Sequence, residues 1–129
     1  MTKEQVDIFE KLQAQLGGLH TEITALSKKS QNEALNKFKL KFINQILADA
    51  NILLDDKYKP FNDFDLFDEI EMPSNSDAAM MLTQYLNCFE KLRADNIKKE
   101  DKFPQNWFWI IDGKLSTIRT VMPKIIKEK

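Results

Sequence analysis

The chain has 129 residues, 43% hydrophobic and 30% charged, with 19 basic against 20 acidic side chains for a net charge of −1. That is the size and make-up of one folded domain, 1–129, which excludes global disorder, and it lacks the basic excess of a typical nucleic-acid binder. Three glycines and four prolines leave few turn sites, favouring long helices over a many-stranded β fold.

The sequence opens on a capping-box pair, Thr2 with Gln5, in which each side chain satisfies the other's free amide. Beyond it Phe9, Leu12, Leu16, Leu19, Ile23 and Leu26 recur at steps of three and four, which predicts a first helix over about 3–28. It would run about 39 Å unbroken, as wide as the body of so small a domain. Gly17 and Gly18 sit at its centre, so either it kinks there or its narrow apolar seam meets a partner. The second outcome is expected, with the seam as a contact surface.

Ser30 and Glu33 suggest another capping box, opening a second helix over 31–54. Its apolar residues, from Leu35 and Phe38 through Phe42, Ile46 and Leu47 to Leu54, cover about 200° of the helix, roughly twice the stripe a surface helix needs. That predicts a central helix covered on two sides. Lys39 falls inside the arc and should carry its ammonium out to water, while Lys37, Lys41, Asn44, Gln45 and Asn51 form the wet side.

Residues 55–77, "DDKYKPFNDFDLFDEIEMPSNSD", carry eight acidic and two basic side chains, with Tyr58, Phe61, Phe64 and Phe67 at intervals of three. So long a connection is usually functional or disordered, and four aromatic rings argue for order. The rings should pin the loop to the helices, and Tyr58, Phe61, Phe64 and Phe67 with Asp63, Asp65 and Asp68 are expected to form an acidic, aromatic recognition surface for a basic partner. Ser74 with Asp77, or Ser76, caps a third helix over 76–96, in which Ala78, Leu82, Tyr85, Phe89 and Leu92 keep helical spacing. Met80 and Met81 fill gaps beside them. "DNIKKEDKFPQN" follows as a charged connector.

Residues 106–122 admit two structures. Phe108, Ile111, Leu115, Ile118, Met122 and Ile125 would make a helical stripe and an all-α four-helix bundle. Asp112-Gly113 between strand-favouring flanks, with Pro123 after them, argues instead for a β-hairpin. Its expected pairs are Ile111 with Lys114, Ile110 with Leu115, Phe108 with Thr117 and Trp107 with Ile118. The expected fold is thus mainly α, with three principal helices, the first two a long antiparallel hairpin, and a C-terminal β-hairpin packed against them.

Little in the chain announces chemistry. His20 is the only histidine and Cys88 the only cysteine, so no histidine metal set exists in one chain and the thiol reads as a packed one in a reducing compartment. The clustered acids Asp63, Asp65, Asp68, Glu69 and Glu71 lack the glycine and spacing of a calcium loop, and no glycine-rich phosphate cradle appears. The longest uncharged apolar run, "WFWII", falls well short of the roughly 20 residues of a membrane span. The amino terminus is charged from Lys3 and carries no signal-peptide core.

The expectation is a cytoplasmic, non-enzymatic protein–protein interaction module, an accessory, adaptor or inhibitor subunit of a larger bacterial assembly, without cofactor, metal or membrane contact. Its partner is a protein or a second copy, a homodimer. The alternatives are nucleic-acid binding through Lys28, Lys29, Lys37 and Lys41 around the first turn, with Arg119, Lys124 and the tryptophans in support, and a small enzyme using the loop carboxylates.

Overall fold

The computed structural model describes residues 1–124; the end of the expected 1–129 domain, with Ile125 of the alternative stripe, lies outside the described residues. The described elements are helices α1 (Lys3–Ser30), α2 (Lys37–Tyr58) and α3 (Asn75–Asp95), and strands β1 (Ile97–Lys99), β2 (Trp107–Ile111) and β3 (Lys114–Thr120). The strands form one antiparallel sheet in the order β1-β2-β3. The fold is therefore mainly α with a C-terminal β element, and the four-helix alternative falls.

Thr2 caps α1 as expected: its hydroxyl accepts from Gln5 N at 3.1 Å and Gln5 Oε1 accepts from Thr2 N at 2.8 Å. The helix is continuous through Gly17 and Gly18. Ser30 does not cap α2, because it is the last residue of α1. The cap is Asn36, whose Oδ1 accepts from Phe38 N at 2.8 Å and Lys39 N at 3.2 Å. Residues 31–36 are drawn instead into pairing with the segment before α3. Leu35 N donates to Pro73 O, Asn75 N to Glu33 O and Ser76 N to Gln31 O, so α2 starts six residues later than its apolar pattern suggests.

At its other end α2 runs on past Leu54 to Tyr58 through a kink at Asp55, whose φ is +54°. Of the expected 55–77 loop, the segment between the helices is therefore 59–74. Ser74 then caps α3, accepting from Asp77 N at 3.0 Å.

The central helix is α3 and not α2. Eleven of its residues are buried, against five on each of the other two. Phe9, Leu12, Leu16 and Ile23 of α1 are buried with Leu40, Ile43, Leu47 and Leu54 of α2 and Leu82, Tyr85 and Phe89 of α3 in one core; Leu19 and Leu26 pack against it. The seam expected to face a partner is thus taken up inside the chain, because α3 and the sheet supply the apolar area it needs. Phe38, Phe42 and Ile52 of α2 point outward instead.

The hairpin forms on Asp112 and Gly113, both at positive φ (52° and 78°), as the primed turn between right-twisted strands requires. Ile111↔Lys114 and Ile110↔Leu115 pair as expected, but the next pairs are Phe108↔Arg119 and Trp107↔Thr120. A bulge displaces the register: Ser116 Oγ donates to Trp109 O at 2.7 Å and accepts from Ile118 N at 3.1 Å, replacing ladder bonds with side-chain ones. The expected "charged connector" holds β1, with Ile97↔Trp109 and Lys99↔Trp107. One buried isoleucine between two polar neighbours and two lysines is too short a pattern to signal a strand.

Candidate functional site

Two surfaces carry residues singled out above, and a third place groups polar side chains beside His20. The first is the 59–74 loop, and two carboxamides of α2 fix its course. Asn44 Nδ2 donates to Phe67 O and Asn44 Oδ1 accepts from Phe67 N, both at 3.0 Å. One turn pair further, Asn51 Nδ2 donates to Asp65 O at 2.9 Å while its Oδ1 accepts from the Tyr85 hydroxyl. Asn44 and Asn51 were assigned by pattern to the wet side; they are the loop's clamps. Their seven-residue spacing, which puts two poor helix formers on one stripe, is the signal that could have marked them.

Aromatic rings complete the fastening. Phe64 stacks edge-on against Phe67 at 5.1 Å and against Tyr85 at 6.3 Å, and Tyr58, Phe64 and Phe67 all pack on the core. The Tyr58 hydroxyl donates to Asp95 Oδ2 at 2.7 Å; that bond, with Lys91 beside it, holds the Asp95 carboxyl below its usual range. Lys59 pairs with Asp65, and Asp68 Oδ1 accepts from Ile70 N and Glu71 N. Phe61 is not a pin: it is 41% exposed, Leu66 47% and Ile70 92%, amid the exposed Asp63, Asp68, Glu69 and Glu71. Among the described residues no three histidine, cysteine, aspartate or glutamate side chains gather as metal ligands.

Tyr85 offers a test of this packing. Burial pushes its hydroxyl up to about 12 against a smaller opposing pull from its bond to Asn51. In the unfolded chain it titrates near 10, so the unfolded state loses the proton first. The stabilisation is whole below about pH 10 and is lost as pH rises towards 12. Chemical denaturation across that window should show stability falling in wild type and falling less in Tyr85→Phe.

The second surface is the turn between α1 and α2. Lys28, Lys29 and Lys37 are exposed there, and Lys41 lies one turn into α2 with its ammonium 5.8 Å from the Phe42 ring. Lys28 and Lys29 occupy the last turn of α1, where cations offset the helix dipole. Trp109 is buried and offers no face to a nucleobase, while the exposed Arg119 donates to Asn106 Oδ1 at 2.7 Å.

The third is a polar cluster the sequence did not suggest. Arg93 and Glu90 of α3 are both buried. Arg93 Nε donates to Glu90 Oε2 at 2.8 Å, its other nitrogens to Gln13 and Thr120, and Gln13 Nε2 to Glu90 Oε1 at 3.2 Å. Next to it His20 Nε2 lies 2.8 Å from Thr83 Oγ1, and burial lowers the imidazole's pKa. Gln13, His20, Glu90 and Arg93 line a hollow of about 360 Å³ with Thr21, Val121 and Lys124. The Glu90 carboxylate is already held by Arg93 and Gln13, and no carboxylate of the 59–74 loop reaches the hollow. Across α3, burial raises the pKa of the Cys88 thiol, which suppresses the nucleophilic thiolate. The cluster reads as a tie between α1, α3 and β3.

In class, the described residues form three helices carrying a three-stranded antiparallel sheet. No protein-family model matches it, nor does any curated protein or solved structure.

Proposed function

We propose that the chain is a non-enzymatic protein–protein interaction module, an accessory, adaptor or inhibitor subunit, whose 59–74 loop receives a basic partner. What carries this reading is a loop fastened from within, by Asn44, Asn51, Tyr58, Phe64 and Phe67, that still holds Ile70 and Leu66 out among acids. A loop needed only as a connection would gain by turning those aliphatic side chains inward. Held in place before binding, it loses little conformational entropy on association. The acids steer the partner and the aliphatic side chains supply buried apolar area.

The roles separate experimentally. Asp63→Asn with Glu69→Gln and Glu71→Gln removes charge but leaves the Lys59–Asp65 pair and the Asp68 turn intact. With a partner captured from the native host and then purified, association should slow by about tenfold at low salt and little at high salt. Ile70→Ala should instead speed dissociation. Equal association rates for wild type and variant at every ionic strength would refute the loop as the contact surface.

A further inference from the structure

The outward face of α2 is an apolar feature that the fold leaves uncovered and the loop does not use. Phe38 is 71% exposed, Ile52 80% and Phe42 40%, and the two phenylalanines stack edge-on at 4.9 Å. At about 100° per residue, Phe38, Lys41, Phe42, Gln45, Asp49 and Ile52 fall within one arc of about 100°. Asn44 and Asn51, which clamp the loop, lie about 100–120° round the helix from Gln45. The loop and this face are therefore separate surfaces.

The face has an internal symmetry. Counting outward from Gln45, Lys41 stands opposite Asp49 and Phe38 opposite Ile52. Lys41 and Asp49 are both exposed, and among the described residues neither forms an ion pair within the chain. We infer that α2 docks against α2 of a second copy, antiparallel, about a two-fold axis at Gln45. Lys41 then meets Asp49 of the partner subunit, and Phe38 meets Ile52 of the partner subunit. Two-fold symmetry makes each contact twice, as in any isologous interface. A parallel pairing would set lysine on lysine and aspartate on aspartate, which opposes that arrangement.

The neighbouring groove gives the phenylalanine a seat. Between α1 and α2 lies an open cleft of about 580 Å³, lined by Ile8, Leu12, Ile46, Ile52 and Leu53 together with polar side chains that include Lys11 and Asp49. In the antiparallel register Phe38 of the partner subunit arrives at Ile52, on the groove side of the axis. An aromatic anchor seated on the aliphatic side chains of a cleft, with charges that pair across the interface beside it, is the arrangement that concentrates binding energy. The homodimer anticipated from the α1 seam is thereby moved to α2.

Light scattering tests this directly on the full chain. At about 100 µM, well above the dissociation constant of even a modest interface, wild type should weigh twice the 15.1 kDa chain. Phe38→Glu should weigh 15.1 kDa with its helical circular dichroism unchanged, since the site is exposed. Lys41→Asp alone, or Asp49→Lys alone, should weaken dimerisation at least tenfold by bringing like charges together. The combined Lys41→Asp and Asp49→Lys exchange should restore it to within about threefold. A monomeric wild type, a dimer indifferent to Phe38→Glu, or a charge exchange that fails to rescue would each overturn the antiparallel α2 pairing. Because all the loop acids remain in these variants, their outcome is independent of binding by the 59–74 loop.

Discussion

Arg93→Ala is expected to lower folding stability by about 3–5 kcal/mol, because it leaves Glu90 as a buried carboxylate without its counter-charge. Both side chains are only 5% exposed, so water cannot take over from the guanidinium. The loss is broader than one ion pair. Arg93 also bonds Gln13 of α1 and Thr120 of β3, and its guanidinium lies 5.2 Å from the Phe9 ring and 5.8 Å from that of Trp109. One side chain thus joins a helix, the central helix and the edge strand. Urea unfolding of three variants separates charge from packing. Arg93→Met alone should be nearly as damaging as alanine, since it too strands Glu90. Arg93→Met with Glu90→Leu should recover most of the loss, because an apolar pair of similar volume needs no desolvation of ions. If the double variant is no better than the single one, the cluster contributes geometry and contacts that an apolar pair cannot replace.

The same cluster shows where sequence reasoning stops. Helix periodicity reports which residues face inward, and for Phe9, Leu12, Leu16 and Ile23 it reported correctly. It says nothing about what lies inside, so a seam that packs on α3 looked the same as one awaiting a partner. Arg93 and Glu90 sit three apart on α3, a spacing shared by many solvated pairs, and only burial between Phe9, Trp109 and Gln13 gives them weight. The arc of α2 was read from residue type alone. Its width counted Phe38 and Phe42 as core, although the side chains that the fold encloses are those of Leu40, Ile43, Leu47, Ala50 and Leu54.

Local chemistry was more legible than packing. The Thr2 cap, the Ser74 cap and the Asp112-Gly113 turn each depend on a few adjacent residues. The bulge at Ser116 and the pairing of residues 31–36 with the approach to α3 depend on contacts across the chain, and so did not show. Of the loop residues, Tyr58, Phe64 and Phe67 proved to be the pins and Phe61 did not. A repeat of three cannot say which of four rings finds a pocket.

Trp109→Ala should cost about 3–5 kcal/mol, as expected for deleting a large buried aromatic side chain, and the damage should fall unevenly. In the sheet, only Ile97 and Trp109 are buried, and every other strand residue is half-buried or exposed. Trp109 is wholly enclosed, edge-on to Phe9 at 5.0 Å, with its Nε1 donating to Glu10 at 3.2 Å. A small sheet on its own is marginal in water, so these three strands hold their shape chiefly because this ring fixes them to α1 and α3. Hydrogen exchange followed residue by residue should therefore show amides of Trp107–Thr120 losing protection first and furthest, while those in the middle of α3 keep a larger share. Trp109→Phe should fall between, keeping the contact with Phe9 but losing volume and the bond to Glu10. Loss of protection in step across α3 and the sheet would mean that the strands do not open as a unit of their own, and that the tryptophan supports the whole domain equally.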